Sequence, residues 1–192
     1  MEHGADQRLD LAEFLGRRTL IVGDVNSGKT TCTGRILDAM CRAALAPRIL
    51  ILDLAPEIPE VVAEKLGLRG VGGRLLPPPG AAVHYLWART RPPRLTASND
   101  DEAMALAERN REEIEHLLEG IDREGRDILF VNDVSLHLQA GSAEKMAAYL
   151  GQAQTVVANG YCGGRLGESP LSRRERAEMD ALMKHFDKIV RL

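Results

Sequence analysis

Consecutive residues near the start of the chain have the types and spacing needed to hold a phosphate group. Residues 23–30 run Gly-Asp-Val-Asn-Ser-Gly-Lys-Thr. The glycines stand where backbone must approach an anion, the lysine where its ammonium can reach β- and γ-phosphates, and the threonine where its hydroxyl can bind Mg²⁺. We therefore predict that a nucleoside triphosphate binds with Mg²⁺. The predicted nucleotide-binding residues of this loop are Gly23, Asp24, Val25, Asn26, Ser27, Gly28, Lys29, Thr30 and Thr31.

Two acids farther along the chain are candidates for the chemistry at the bound phosphates. Asp133 follows an apolar run, and its carboxylate is the leading candidate to hold Mg²⁺ opposite Thr30. Asp53 ends an earlier apolar run and competes with it, as a metal ligand or as a group that activates a nucleophile. Either carboxylate would alternatively serve as a cap or a turn residue. We predict Lys29, Asp53 and Asp133 as catalytic residues, and Thr30, Asp133 and Asp53 as metal ligands.

One residue after a further apolar run bears on which base is bound. Asn159 stands where guanine-specific proteins begin an Asn-Lys-x-Asp signature, but the chain continues with Gly160, Tyr161 and Cys162. Because the lysine and the aspartate of that signature are missing, we predict ATP as the default and GTP as the alternative, with Asn159 among the nucleotide-binding residues. Candidates to approach a transferring phosphoryl group from within the same chain are Arg91, Arg94 and Arg165.

The elements that must position these residues alternate between strands and helices. Apolar runs predict strands at residues 19–22, 49–53, 83–87, 127–133, 155–159 and 188–191. Helical periodicity predicts helices at residues 9–15, 31–45, 59–66, 98–119 and 142–150, and a last one near residues 172–185 that begins at a capping box of Ser172 and Glu175. This alternation predicts an α/β fold with a mostly parallel central sheet flanked by helices. Ligands bind at the carboxyl ends of such strands, where the candidate residues are expected to converge.

The composition limits the number of domains, the partners and the cellular location that the chain is expected to have. The chain has 192 residues, and we predict one domain over residues 1–192, with the glycine- and proline-rich stretch at residues 67–80 as a loop inside it. A net charge of −3 and the lack of a basic stripe do not support a nucleic-acid partner. The three cysteines include no Cys-x-x-Cys pair, so neither a disulfide framework nor a zinc site is indicated. No apolar stretch has the length of a membrane span or a signal peptide, so we expect no membrane association and a cytoplasmic location.

The loop at residues 23–30, with the strands that end at Asp53 and Asp133, resembles the P-loop NTPase superfamily over residues 18–192. Within it, the strand at residues 49–53 is similar to the branch of metallocentre-maturation GTPases and Clp1-type polynucleotide kinases, and the loop is most similar to the Clp1-type loop. The resemblance implies a three-layer fold, Mg²⁺ and a nucleoside triphosphate, with Lys29 on phosphate and Thr30 on metal. ParA-like members carry a second lysine in this loop, but position 24 here is Asp.

Two functions follow from such a site. The first is an ATPase or GTPase that acts as a regulator or maturation factor, which requires a surface for a protein partner or for a second copy in a homodimer. The second is a phosphotransferase that acts on a small molecule or on a nucleic-acid end. A kinase requires an acceptor cleft with a base and an arginine-bearing lid, for which residues 70–80 and 89–94 are the candidates.

Overall fold

Six parallel strands form one sheet in the computed structural model, which describes residues 9–56 and 73–192. The strands are β1 (Arg18–Gly23), β2 (Ile49–Asp53), β3 (His84–Trp87), β4 (Ile128–Asn132), β5 (Thr155–Tyr161) and β6 (Lys188–Arg191). Their order across the sheet is β3-β2-β4-β5-β1-β6. All of the strands predicted from the sequence are therefore present, and the predicted α/β architecture is confirmed.

Helices connect the strands in the described part of the chain. They are α1 (Lys29–Arg42), α2 (Pro93–Thr96), α3 (Asp100–Glu119), α4 (Ser135–Leu138), α5 (Ala143–Leu150) and α6 (Pro170–Met183). Two short 3₁₀ helices span Leu11–Glu13 and Ala46–Arg48. None of these helices is long and apolar enough to cross a membrane.

Helices cover both faces of the sheet, which explains why the central strands read as continuous apolar runs. On β2, Ile49 and Ile51 pack toward α1, together with Ile36, Leu37 and Met40 of that helix. Leu50 and Leu52 point to the other face, where α3, α4, α5 and α6 contribute Ile114, Leu136, Met146 and Met179 among others. The molecule thus has three layers. Helix α1, which follows the predicted phosphate loop at residues 23–30, lies in one outer layer, and these four helices lie in the other.

Strand register brings the candidate residues to one edge of the sheet. Gly23 at the end of β1 lies opposite Tyr161 of β5, and Asp53 at the end of β2 lies opposite Asn132 of β4. Because every strand runs in the same direction, the phosphate loop and the residues after β2, β4 and β5 all emerge at the carboxyl edge. Strand β5 separates β1 from β4, so Asp133 approaches the phosphate loop across the end of β5.

Several boundaries differ from the sequence predictions. The first helix ends at Arg42 because Ala44 has a φ of 60°, in the left-handed region that cannot continue a helix. The last helix begins at Pro170, whose fixed φ suits the first helical position, and Ser169 caps it by accepting a hydrogen bond from the Ser172 N–H at 3.1 Å. The predicted capping box of Ser172 and Glu175 is therefore wrong. The helix predicted at residues 59–66 lies outside the described residues.

Candidate functional site

The phosphate loop, residues 23–30, joins β1 to α1 through positions that only particular backbone conformations allow. A Cβ on Gly23 would lie 2.5 Å from Ser27 Oγ and 2.7 Å from the Leu192 carbonyl oxygen, so a side chain does not fit there. Gly28 has a φ of 90° and Asn26 a φ of 60°, both in the left-handed region. These positive φ values turn the chain sharply, so that the loop ends at the N-terminus of α1.

The N-terminus of α1 presents backbone N–H donors to a cavity. Among the described residues, no side chain caps this helix at Gly28, and its first N–H groups have no acceptor within the helix. Lys29, Thr30 and Thr31 line the cavity at this point. The Lys29 Nζ donates to the Asp24 carbonyl oxygen at 2.6 Å, and burial lowers the pKa of this ammonium below its usual value. A phosphate oxygen offers the ammonium a negatively charged acceptor in place of that carbonyl.

Thr30 is oriented by an amide at the end of β4. Its hydroxyl lies 3.4 Å from the Asn132 Oδ1, which accepts the hydroxyl hydrogen. A hydroxyl has a single hydrogen and two acceptor lone pairs, so giving its hydrogen to Asn132 leaves the lone pairs free for a cation. Asn132 also lines the cavity and is 1% exposed.

Asp53 holds Asn132 in this orientation. The Asn132 Nδ2 donates to the Asp53 carboxylate at 2.9 Å, which leaves the amide oxygen facing Thr30. The same carboxylate accepts hydrogen bonds from the N–H groups of Ala55 and Leu75 and from the Tyr85 hydroxyl, at 3.2, 2.8 and 2.7 Å. Asp53 is fully buried and does not line the cavity. In this arrangement it supports Asn132 from behind.

Asp133 is the carboxylate that lines the cavity beside the phosphate loop. It has a φ of 63°, and its N–H donates to the Asn159 Oδ1 at 3.0 Å, which fixes the turn after β4. The Ser135 hydroxyl donates to its carboxylate. Burial raises the pKa of Asp133 above its usual value, against the hydrogen bond from Ser135 and the positive charges of Lys29 and Arg94.

Asn159, at the end of β5, forms hydrogen bonds with Asn132 and Asp133 and with Thr33 of α1. Its Nδ2 donates to Thr33 Oγ1 and to Asn132 Oδ1, both at 3.0 Å, while its Oδ1 receives the N–H of Asp133. Asn159 lines the cavity but is only 2% exposed. Both of its N–H donors are therefore engaged by the protein.

The glycine-rich segment after β5 is fastened to the phosphate loop by Asp24. The Asp24 carboxylate accepts the N–H of Val25 at 2.6 Å and that of Gly164 at 3.3 Å. A Cβ on Gly163 would lie 2.4 Å from the Asp24 Cγ, so glycine is required at this contact. Burial alone would raise the pKa of Asp24, but the backbone donors outweigh it and the pKa is lowered. The side chain of Asp24 thus holds the protein's own backbone.

The cavity, of about 410 Å³, extends from the phosphate loop across the strand ends to α2, α4 and the segment after β5. Arg94 lines its far wall, and its NH2 lies 2.9 Å from the Glu175 Oε2. The Gln139 Nε2 donates to the same carboxylate oxygen at 2.8 Å, and the Arg94 guanidinium lies 5.8 Å from the centre of the Tyr161 ring. Apolar side chains, including Pro93, Leu95, Leu136 and Leu166, complete this wall.

Glu175 makes the stability of the fold depend on pH. Burial raises the pKa of Glu175 from 4.5 to about 7, although Arg94 and Gln139 oppose the shift. A carboxyl with a raised pKa in the folded state stabilises that state below the unfolded pKa, and the stabilisation is lost as pH rises through the folded pKa. From pH 4.5 to 8, we expect the free energy of unfolding to fall by up to about 3 kcal/mol relative to Glu175→Gln.

Urea denaturation of the wild-type protein and Glu175→Gln between pH 4.5 and 8 measures this difference. Glu113→Gln, which removes an exposed carboxyl of α3, is the matched control and should leave the wild-type pH profile unchanged. Parallel stability profiles for the wild-type protein and Glu175→Gln would contradict the assignment.

The structure brings some predicted residues together and sets others apart. Val25, Asn26, Gly28, Lys29, Thr30, Thr31, Asp133 and Asn159 line one cavity. Gly23, Asp24, Ser27 and Asp53 lie behind it and shape the loop or support Asn132. Of the arginine candidates, Arg94 lines the cavity, whereas Arg91 and Arg165 are exposed and lie outside its lining. The catalytic and metal-binding roles of Lys29, Thr30, Asp53 and Asp133 stay predictions.

The sequence predictions missed Gln139 and the pairing of Glu175 with Arg94. They expected Asn132, the last strand residue before Asp133, to lie at the ligand-binding edge but gave it no role. Gln139 and Glu175 carry no signal in the sequence, because their convergence depends on how α4 and α6 pack. In the described residues, no cluster of three or more His, Cys, Asp or Glu side chains is placed to hold a metal ion.

Comparison with known proteins bears on the fold. No family model and no curated protein matches the chain. Among solved structures, it is similar to the flagellar accessory protein FlaH from Methanocaldococcus jannaschii, with 10% identity and a TM-score of 0.55, over 96% of this chain and 77% of that one. This similarity, with the strand, phosphate loop and helix at residues 18–42, confirms the predicted P-loop NTPase fold.

Two other solved structures match with lower scores. The Hef helicase domain from Pyrococcus furiosus matches with 16% identity and a TM-score of 0.42, over 92% of this chain and 35% of that one. A prototypical ATPase from the type III secretion system of pathogenic bacteria matches with 17% identity and a TM-score of 0.42, over 93% of this chain and 51% of that one. The chain therefore spans about a third and about half of these two proteins.

Proposed function

We propose that the chain binds a nucleoside triphosphate, ATP by default, with Mg²⁺ and hydrolyses it, and that it serves as a regulatory or maturation NTPase. The single observation that carries this proposal is the meeting of Lys29, Thr30, Asp133 and the open N-terminus of α1 in one cavity. A cationic side chain, a metal-binding hydroxyl, a carboxylate and unpaired N–H groups are the parts that cleavage of a triphosphate requires.

The phosphates would bind where residues of the phosphate loop now form a hydrogen bond with each other. Lys29 exchanges the Asp24 carbonyl for phosphate oxygens, and the first N–H groups of α1 donate to the same anion. Thr30, oriented by Asn132, and Asp133 would hold Mg²⁺, directly or through water. When bound, Mg²⁺ neutralises the charge on the β- and γ-oxygens. Asp53 takes part through Asn132, whose amide it orients.

Asp133 would act on the water that attacks the γ-phosphorus. Its carboxylate would accept a hydrogen bond from this water and orient it, and the Ser135 hydroxyl keeps the carboxylate in place. It lies on the cavity side of the strand ends, where the water must enter. The fully buried Asp53, which already accepts hydrogen bonds from four groups, is less suited to this role.

A phosphotransferase is the second candidate, because the cavity continues past Asp133. Beyond this carboxylate, Gln139, Leu136 and Leu166 enclose a region in which an acceptor hydroxyl has room. The similarity of the loop to that of Clp1-type kinases favours the same alternative. Phosphate release distinguishes the two functions, since an NTPase consumes ATP with water alone and a kinase consumes it only with an acceptor. A protein partner or a second copy of the chain would be required by a regulatory switch.

The base is expected to contribute little to affinity. Asn159, the residue that the sequence offers for reading the base, gives both N–H donors to Thr33 and Asn132. We therefore expect ATP and GTP to bind within about tenfold of each other, a difference of about 1.4 kcal/mol. Competition binding with Mg²⁺ present measures the ratio, and Mg²⁺-dependent phosphate release measured with both nucleotides tests the proposed activity. A preference for GTP well beyond tenfold would show that the protein reads the guanine edge elsewhere.

A further inference from the structure

Arg94 lines the cavity but has no role in the proposed hydrolysis as described so far. It lies on α2, which packs against α3, whereas Lys29 begins α1 in the opposite outer layer. Both side chains line the same cavity at the carboxyl ends of the strands. The positive charges of both also act on the Asp133 carboxylate. Two cations from opposite layers therefore approach the place where the γ-phosphate is expected.

The side chain of Arg94 is held firmly in this place. Glu175 accepts a hydrogen bond from its NH2 at 2.9 Å, and Gln139 donates to the same carboxylate oxygen. The guanidinium lies over the ring of Tyr161, and the side chain is 14% exposed. Arg94 follows Pro92 and Pro93, whose rings restrict the backbone. An arginine held by several contacts loses little further entropy when it binds an anion.

One donor of this guanidinium has no partner in the described residues. The Arg94 Nε is buried and makes no hydrogen bond within residues 9–56 and 73–192. A buried donor without an acceptor is unfavourable, so the native state gains when an oxygen atom reaches it. The Gln139 Oε1, on the same wall, is likewise buried and without a donor in these residues. Both atoms belong to residues that line the cavity, and both have hydrogen-bonding capacity that the described residues leave unused.

We propose that Arg94 contacts the γ-phosphoryl group from the side opposite Lys29 and supplies, within the same chain, the positive charge that stabilises its transfer. This inference rests on the proposed hydrolysis. In that step a water oxygen bonds to the γ-phosphorus, and the bond from this phosphorus to the β–γ bridging oxygen breaks. The products are a nucleoside diphosphate and inorganic phosphate, and the proton lost by water leaves on the inorganic phosphate. Arg94 neutralises charge on the transferring oxygens, while Glu175 and Gln139 position it.

An arginine supplied within the chain bears on regulation. In some nucleotide hydrolases a partner protein supplies this arginine instead and thereby controls the rate. If Arg94 supplies the charge, the isolated chain hydrolyses the triphosphate without an arginine from another molecule. Turnover per chain should then be independent of protein concentration.

The test compares Arg94→Ala with Arg91→Ala, which removes an exposed arginine from the same segment. We expect Arg94→Ala to lower kcat for Mg²⁺-dependent ATP hydrolysis by about a thousandfold or more, the usual effect of removing such an arginine. Affinity for Mg²⁺ and ATP should fall far less than kcat, because the contact is strongest in the transition state. The wild-type protein and Arg91→Ala should form a stable complex with Mg²⁺, ADP and aluminium fluoride, and Arg94→Ala should not.

A second variant separates an effect on catalysis from an effect on folding. Arg94→Ala leaves the buried Glu175 without its cation, so Arg94→Ala combined with Glu175→Gln is compared with Glu175→Gln alone. The double variant should fold and should lose the same factor in kcat relative to Glu175→Gln. Equal kcat values in these two variants, or a weaker affinity of Arg94→Ala with unchanged kcat, would overturn the role of Arg94. An inactive wild-type protein that fails to bind ATP would instead overturn the proposed function.

Discussion

Asp133→Asn is expected to lower the rate of Mg²⁺-dependent ATP hydrolysis by about 10²–10⁴, the range typical for loss of a side chain that acts on the attacking water. The asparagine keeps the size of the side chain but removes the charge that attracts the cation and orients the attacking water. The phosphate loop and Lys29 are unchanged, so affinity for ATP without Mg²⁺ should stay near that of the wild-type protein. Steady-state kinetics and calorimetric titration together separate these effects.

Two variants serve as controls for Asp133→Asn. Asp180→Asn removes an exposed carboxylate of α6 and should have the wild-type rate. Asp53→Asn should act mainly on the fold, since an amide nitrogen would replace an oxygen that accepts hydrogen bonds, at a cost of about 1–3 kcal/mol. Its effect should therefore appear in urea denaturation. Full Mg²⁺-dependent hydrolysis by Asp133→Asn would contradict the assignment, and a large loss by a stably folded Asp53→Asn would move the catalytic role to Asp53.

Lys29→Ala is expected to weaken binding of ATP by about 10- to 150-fold, because a hydrogen bond to a charged group contributes about 1.5–3 kcal/mol. The fold should be unchanged, since the only hydrogen bond of the Lys29 ammonium within the described residues goes to the Asp24 carbonyl of the same loop. Calorimetric titration with ATP and Mg²⁺ measures the change. Lys184→Ala, which removes an exposed lysine just after α6, should bind as the wild-type protein does. Equal affinity of Lys29→Ala and wild type would refute binding at the phosphate loop.

The sequence was sufficient to predict the strands and the phosphate loop, because both depend on local patterns. A run such as Ile49–Asp53 is apolar throughout since helices cover both of its faces, and the spacing of Gly23, Gly28, Lys29 and Thr30 meets the backbone needs of one loop. The strand order was not predicted. It depends on where each crossover returns, and no local pattern in this chain specifies that.

The parts of the site that were not predicted depend on contacts between distant residues. Ser172 and Glu175 have the spacing of a capping box, yet Pro170 starts the helix earlier and turns Glu175 into the core toward Arg94. Helix α4 has four residues, too few for a detectable period, and it brings Gln139 to the cavity. In the sequence, Asp53 and Asp133 show the same pattern, an acid at the end of an apolar run that predicts a strand. Only the packing around them makes one a buried support for Asn132 and leaves the other at the cavity.

A crystal structure of the protein with Mg²⁺ and a non-hydrolysable ATP analogue tests the central claim most directly. We predict that the phosphates lie on the N–H groups of α1, that the Lys29 ammonium has moved from the Asp24 carbonyl to phosphate oxygens, and that the γ-phosphate lies beside Asp133. An analogue bound away from residues 23–30, with the Lys29 ammonium still on the Asp24 carbonyl, would contradict the claim.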